Sequence, residues 1–94
     1  MKWLEVIKLR SAGRTGELPE EFWGPMAKAD QYRGLVEMRS YRHAALDTDL
    51  SLHLHWESDR PESSGSALGH QLEQALKEFG LTDHSVWIEE EKGS

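Results

Sequence analysis

The sequence contains no cysteine among its 94 residues, so neither a disulfide nor a thiolate-bound metal can stabilise the fold. It also contains no run of about 20 apolar residues, which is the length that a membrane-spanning helix needs. Charged residues at positions 2, 5, 8 and 10 interrupt the N-terminal segment, which excludes the continuous apolar centre of a secretory signal. We therefore expect a cytoplasmic protein with no membrane association.

Basic residues are also scarce, with 11 Lys and Arg against 17 Asp and Glu and a net charge of −6. This balance argues against a nucleic-acid partner, whose phosphates require clustered positive charge. The sequence lacks a glycine-rich phosphate loop, an HExxH motif and a GxSxG motif. We therefore predict no cofactor and no metal, and the catalytic residues stay unassigned. The length fits a single domain over residues 1–94.

The residues that are present alternate in patterns typical of strands and helices. An apolar stripe between Ser66 and Gly80 predicts a helix, and residues 18–31 predict another helix, which Gly24-Pro25 interrupts. Period-two alternation predicts four strands, Trp3–Leu9, Gly34–His43, Leu50–Glu57 and Ser85–Glu90. The β-α-β-β-α-β order predicts an α+β, ferredoxin-like domain, in which two helices cover one face of a four-stranded antiparallel sheet.

Each predicted strand has two faces, and we assign the more aliphatic face to the helices. This rule places Leu4, Val6 and Val36 on the helix side. The other face then combines aromatic and charged side chains, too apolar for water and too charged for a monomer core. A homodimer that packs sheet against sheet satisfies both properties. The predicted interface residues are Trp3, Glu5, Ile7, Glu37, Arg39, Tyr41, His53, His55 and Trp87.

His53 and His55 stand two residues apart in the stretch LHLHWES and therefore project from the same face of a strand. Three roles are open to them: a shared metal ion with a glutamate as third ligand, a catalytic role towards a substrate, or a polar network in the dimer interface. We favour the network, which predicts that acid pH charges both imidazoles and alters dimer stability. His70, on the polar side of the helix, and His84, in a predicted loop, are expected to be solvated.

The stretch RGLVEMRSYRH, followed after a short turn by DLSLHLHWES, resembles the middle of the antibiotic biosynthesis monooxygenase-like proteins of the dimeric α/β-barrel superfamily. The most characteristic element is a strand that ends in Trp56-Glu57-Ser58. The resemblance implies a homodimer with this element order. Some members of the superfamily oxidise electron-rich aromatic substrates with oxygen but without metal or flavin, and others bind or degrade haem. This chain differs in the segment DRPESSG, which separates the tripeptide from the helix that usually follows at once.

The resemblance implies a small-molecule enzyme or binder, and in particular a cofactor-independent oxygenase acting on an apolar or aromatic substrate. The ligand would lie between the sheet and the helices. Such chemistry needs a general base, and the face assignment directs His53 and His55 away from this pocket. The alternatives are a non-catalytic homodimeric binding or regulatory module, and a haem-binding member of the same superfamily. The predicted pocket residues are Trp56, Phe22, Met38, Leu54, Tyr32 and Arg42.

Overall fold

One sheet and one helix make up the part of the chain that the computed structural model describes, residues 1–11, 32–46 and 48–90. The interrupted helix predicted for residues 18–31, with Phe22, lies outside the described residues. Within the described ranges, no helix is both long and apolar enough to cross a membrane. The elements are β1 (Lys2–Ser11), β2 (Leu35–Arg42), β3 (Asp49–Glu57), α1 (Ala67–Leu76) and β4 (Gly80–Ile88).

The sheet is antiparallel throughout, with the strand order β2-β3-β1-β4. This is the order of a ferredoxin-like sheet, so the predicted α+β class and the antiparallel sheet are confirmed. β1 lies inside the sheet, where Ile7 pairs with Leu52 on one side and with His84 on the other. The predicted hairpin of β2 and β3 is also present, and its ends are joined by a 3.0 Å hydrogen bond from His43 N to Asp49 O.

Helix α1 packs over β1 and β4 because its apolar residues recur at four-residue steps. Leu68, Leu72 and Leu76 are buried along this stripe, and each such side chain contributes about 1.5–3 kcal/mol by leaving water. Ser66 caps the helix, since its Oγ accepts a 2.9 Å hydrogen bond from the N–H of Gly69. The core cluster comprises Trp3, Ile7, Leu9, Leu52, Leu54, Trp56, Leu68, Leu72 and Leu76.

The face predicted for β1 is wrong. Trp3 pairs with Trp56 and Ile7 pairs with Leu52, so the odd-numbered residues of β1 lie on the helix side of the sheet. Trp3, Glu5 and Ile7 are therefore buried and do not lie on the face predicted for the dimer interface. The prediction assigned the more aliphatic face of each strand to the helices, and this rule placed the face that carries Glu5 on the outside. That reasoning fails here because the fold supplies the buried carboxylate with hydrogen-bond donors.

An irregularity in β2 also reverses a predicted face. Leu35 pairs with Trp56, Glu37 pairs with His55, and the register shifts between the two. Such a bulge inserts one residue into a strand and reverses the alternation before it. Consequently Leu35 packs against the core, whereas Val36, expected on the helix side, is 65% exposed.

Strand β4 begins at Gly80, well before the Ser85 that alternation predicts. Its first inward-facing residues are Thr82 and His84, which lie on the same face as Ile7. Polar residues at inward positions conceal the apolar alternation on which the prediction depended. His84, expected to be solvated in a loop, therefore lies in a strand with its side chain only 9% exposed.

Candidate functional site

The carboxylate of Glu5 is the centre of a buried polar cluster between the sheet and α1. Its side chain has no exposed surface. It accepts hydrogen bonds from Trp56 Nε1 at 3.1 Å, Ser66 N at 2.9 Å and Ser66 Oγ at 2.7 Å, and His84 Nε2 lies 2.6 Å away. A buried carboxylate requires such partners in place of water. The short distances are typical of charge-assisted hydrogen bonds.

Three parts of the fold bring this cluster together. Trp56 of β3 and His84 of β4 project from the same face of the sheet as Glu5 of β1. The N-terminus of α1 supplies both polar groups of Ser66. The positive end of the helix dipole also favours a carboxylate at this position. Glu5 thus links the sheet to the first turn of the helix.

Two glycines provide the space that the cluster occupies. A Cβ atom on Gly69 would collide with the carboxylate of Glu5. A Cβ atom on Gly65, whose φ is +99°, would collide with the ring of His84. Glycine inside a helix costs about 0.5–1 kcal/mol relative to alanine. The missing side chain at Gly69 offsets this cost by letting the first turn approach the carboxylate.

His84 connects Glu5 to a second carboxylate. Its Nδ1 lies 3.3 Å from Glu73 Oε1, and Glu73 Oε2 accepts a 3.2 Å hydrogen bond from Thr82 Oγ1. The ring of His70 stands nearly perpendicular to that of His84, with centroids 5.2 Å apart. Sequence reasoning missed this group because its members come from β1, α1 and β4. The three-residue spacing of His70 and Glu73, which places both on one helix face, is the signal in the sequence that could have indicated part of this group.

The Trp56-Glu57-Ser58 tripeptide, which carries the sequence resemblance, stabilises one end of the sheet. Trp56 stacks on Trp3 with ring centroids 5.3 Å apart, a contact that contributes about 0.5–1.5 kcal/mol beyond buried area. Ser58 Oγ accepts a 2.8 Å hydrogen bond from Trp3 Nε1 and donates one to Arg60 O. Glu57 is exposed. Trp56 and Ser58, the two ends of the tripeptide, are therefore packing residues in this chain.

A groove of about 460 Å³ crosses the other end of the sheet, where β1 and β2 end and β3 and β4 begin. Its volume lies within the range of about 300–1,000 Å³ that small-molecule sites occupy. Its apolar lining consists of Leu9, Tyr41, Leu46, Leu50 and Leu81. Its polar lining consists of Lys8, Arg10, Arg42, His43, Asp49, Ser51, Thr82 and Asp83.

Positive charge predominates in this groove, where three cationic side chains face two aspartates, although the whole chain carries −6. Arg10 lies 3.7 Å from Asp49 and is 73% exposed, so this ion pair contributes little to stability. In the described part of the chain, neither Lys8 nor Arg42 has an acidic partner at ion-pair distance. These two cations can therefore bind an anionic ligand without first breaking an ion pair.

His43 lines the same groove, and its hydrogen bonds define which ring nitrogen carries the proton. Its Nδ1 accepts hydrogen bonds of 3.0 Å from the backbone N–H groups of Ala45 and Leu46. A neutral imidazole that accepts at Nδ1 carries its proton on Nε2. His43 therefore offers a ligand a hydrogen-bond donor, suited to a carbonyl or phenolate oxygen, and does not offer a base.

The predicted pocket residues are only partly brought together. Arg42 lines the groove, and Phe22 lies outside the described residues. The remaining four lie in the core or pack against it: Trp56, Leu54, Met38 and Tyr32. Sequence reasoning missed Lys8 and Arg10 as groove residues because their positions depend on which strand ends meet at one edge.

The face of the sheet opposite α1, here called the far face, carries the other predicted interface residues. Glu37 and Arg39 form a two-bond pair at 2.8 and 3.1 Å, and these hydrogen bonds lower the pKa of Glu37 and raise the pKa of Arg39. Tyr41 and Trp87 are 43% and 59% exposed. Their role in a dimer stays a prediction. By register, the far face comprises Lys2, Leu4, Val6, Lys8, Arg10, Glu37, Arg39, Tyr41, Asp49, Ser51, His53, His55, Glu57, Leu81, Asp83, Ser85 and Trp87.

His53 and His55 both project from the far face, with ring centroids 6.5 Å apart. The ring of His53 lies 4.6 Å from that of Tyr41. Burial, followed by the charges of His55 and Lys8, lowers the pKa of His53. Among the described residues, the pair belongs to no group of three potential metal ligands. The geometry therefore favours a polar patch over a shared metal ion at these two histidines.

The sheet order and the position of α1 give this chain the fold of the antibiotic biosynthesis monooxygenase-like proteins, as the sequence resemblance predicted. SnoaB, a cofactor-independent oxygenase from Streptomyces nogalater, is similar with a TM-score of 0.67 and 14% identity, over 98% of this chain and 96% of its own. A single-residue variant of SnoaB gives a TM-score of 0.69 over the same shares of both chains. Rv0793 from Mycobacterium tuberculosis gives 0.69 at 13% identity over 100% of both chains.

No protein-family model matches the chain, and no curated protein matches its sequence. At identities of 13–14%, the structural likeness establishes the fold, and one fold supports many activities. The function must therefore be argued from the groove, the buried cluster and the far face of this chain.

Proposed function

We propose that this protein is a small-molecule enzyme or binder of the antibiotic biosynthesis monooxygenase-like type. Its ligand would be apolar or aromatic and would carry an acidic hydroxyl or carboxyl group. The observation that carries the proposal is the groove, which combines a leucine-rich surface with the cations Lys8 and Arg42. The fold shared with a cofactor-independent oxygenase supports the finer proposal that the reaction is an oxygenation without metal or flavin.

The groove would stabilise the anion of such a ligand. Cations without acidic partners favour the ionised form of a nearby hydroxyl and lower its pKa. The Nε2–H of His43 would donate a hydrogen bond to the same oxygen. An electron-rich aromatic anion can transfer electrons to oxygen itself. The protein would then contribute by binding and ionising the substrate, and the substrate would supply the electrons.

Titration with 1-naphthol, whose absorbance distinguishes phenol from phenolate, tests this proposal. We expect the bound naphthol to ionise at a lower pH than the free compound, because Lys8 and Arg42 favour the anion. Arg42→Ala should weaken binding by at least about tenfold, since a hydrogen bond to a charged group contributes about 1.5–3 kcal/mol. Arg60→Ala, a matched arginine outside the groove lining, should leave binding unchanged.

Oxygen uptake measured with the same protein, freed of metals and flavin, separates the enzyme from the non-catalytic binder. Naphthol-dependent uptake that falls in Arg42→Ala supports the oxygenase. Binding without uptake, over a panel of hydroxylated aromatic compounds, supports the binding module. Equal binding by wild type, Arg42→Ala and Arg60→Ala, or no binding at all, would contradict the proposed ligand class.

We also propose that a second copy of the chain covers the part of the far face outside the groove, which occupies the end of this face that carries Lys8, Tyr41 and Leu81. The support is the apolar surface that the rest of this face exposes, above all Trp87 at 59%, interspersed with charged and imidazole groups. Aromatic anchors surrounded by polar groups are typical of protein interfaces. Relative to the sequence prediction, Leu4 replaces Trp3, Glu5 and Ile7 in the proposed interface, because β1 presents its even-numbered residues to this side and Val6 is already buried within the single chain.

The dimer should weaken as the pH falls from 8 to 5. Burial already lowers the pKa of His53 below 6.5, and further burial in a dimer would lower it more. Above the monomer pKa of His53 the imidazole is neutral, and the neutral form favours association. This contribution of His53 to dimer stability is lost as the pH falls through the pKa of His53 in the dimer. Sedimentation equilibrium of wild type and His53→Gln measures the effect, with His70→Gln, on α1, as control. A dimer constant that is the same at pH 8 and pH 5 would count against this interface.

A further inference from the structure

We propose that His70, Glu73 and His84 form a binding site for a divalent transition-metal ion between α1 and β4. One potential ligand atom from each residue lies within 4.8 Å of the others. None of the three lines the groove, so this site goes beyond the proposed function and does not depend on it. Two imidazoles with one carboxylate are a ligand set that zinc and other first-row divalent ions prefer.

The buried carboxylate of Glu5 fixes the ring orientation that metal binding requires. Glu5 Oε2 lies 2.6 Å from His84 Nε2 and already accepts a hydrogen bond from Ser66 N, so it acts as an acceptor. It therefore holds a proton on Nε2, so that Nδ1, which faces Glu73 Oε1 at 3.3 Å, is the ring nitrogen available to a metal ion. Metal-bound histidines typically donate their other ring N–H to a carboxylate in this way.

One distance within the group already matches that between two ligands of a coordinated ion. Two tetrahedral ligands at about 2.05 Å from zinc lie about 3.3 Å apart, which is the separation of His84 Nδ1 and Glu73 Oε1. Thr82 Oγ1 donates to Glu73 Oε2 and thereby orients the carboxylate. His70 lies three residues before Glu73 on the same helix face, and its exposed side chain can rotate towards the ion. Three protein ligands leave further positions for water.

Titration of chelator-treated protein with Co²⁺ and then Zn²⁺ tests this site. We expect one Co²⁺ per chain with visible absorption bands that excess Zn²⁺ removes, and a melting temperature that rises with Zn²⁺ concentration. His70→Gln should weaken both ions at least tenfold. Because His70 is exposed, the metal-free variant should melt as the wild type does. Glu73→Gln, which keeps the side-chain shape but loses the charge, should weaken binding similarly.

His53→Gln is the matched control, since it removes an imidazole from the other face of the sheet. It should leave the Co²⁺ spectrum and both affinities unchanged. The proposal is overturned if Co²⁺ gives no visible bands and Zn²⁺ does not raise the melting temperature. It is equally overturned if His70→Gln binds both ions as tightly as the wild type, or if His53→Gln, and not His70→Gln, loses them.

Discussion

Replacing Glu5 with glutamine is expected to lower the free energy of unfolding by about 1.5–3 kcal/mol, the range for a hydrogen bond to a charged group. The substitution keeps the shape of the side chain but leaves one acceptor oxygen where there were two. Trp56 Nε1, Ser66 N, Ser66 Oγ and His84 Nε2 now share the carboxylate. At least one of these groups, or the new amide, would be buried without a partner, which costs free energy.

Urea denaturation of wild type, Glu5→Gln and Glu57→Gln measures this effect. Glu57 is exposed at the end of β3, so its substitution should change stability by no more than about 0.5 kcal/mol. A loss below about 1 kcal/mol for Glu5→Gln would mean that the cluster rearranges around the amide. That outcome would contradict the central position assigned to this carboxylate.

The alternation of apolar and polar residues predicted β3 correctly because nothing interrupts it. Leu52, Leu54 and Trp56 are buried, and His53 and His55 project to the other side. The same rule failed in β1, where a charged residue points inward, and before the bulge in β2. Alternation reports which residues share a face, but it identifies the buried face only when that face is the apolar one.

The groups that form the candidate sites lie too far apart in sequence for local patterns to connect them. Glu5 bonds to Trp56 across 51 positions and to His84 across 79. Strand register alone brings these side chains together, and register depends on the whole sheet. The groove has the same origin, because its cations are placed by strand ends from different parts of the chain.

The residue at which alternation fails in β1, Glu5, is also the residue that orients His84 in the proposed metal site. A carboxylate on the inner face costs stability unless donors surround it, and sequences violate local rules mainly where function or strain requires it. Donors surround Glu5 here, and the carboxylate in turn orients His84. Its hydrogen bond to Trp56 Nε1 couples this position to the aromatic stack at the sheet end.

Replacing Trp56 with alanine is expected to cost about 3–5 kcal/mol of unfolding free energy, the range for deleting a large buried aromatic side chain. Trp56 is only 7% exposed and stacks on Trp3, so its loss leaves a cavity beside a large neighbouring ring. Trp56→Phe keeps most of the apolar contact but removes the N–H that donates to Glu5. It should cost about 1 kcal/mol, the net contribution of one hydrogen bond, because Ser66 Oγ still donates to the same oxygen.

Urea denaturation of both variants separates ring packing from hydrogen bonding. The matched control is Trp87→Ala, measured at a dilution at which the chain is monomeric. Its ring is 59% exposed, so stability should change by no more than about 0.5 kcal/mol. If Trp56→Phe proved as costly as Trp56→Ala, the hydrogen bond to Glu5 would outweigh the stack on Trp3. The tryptophan of the tripeptide would then serve chiefly to hold the buried carboxylate, and through it the orientation of His84.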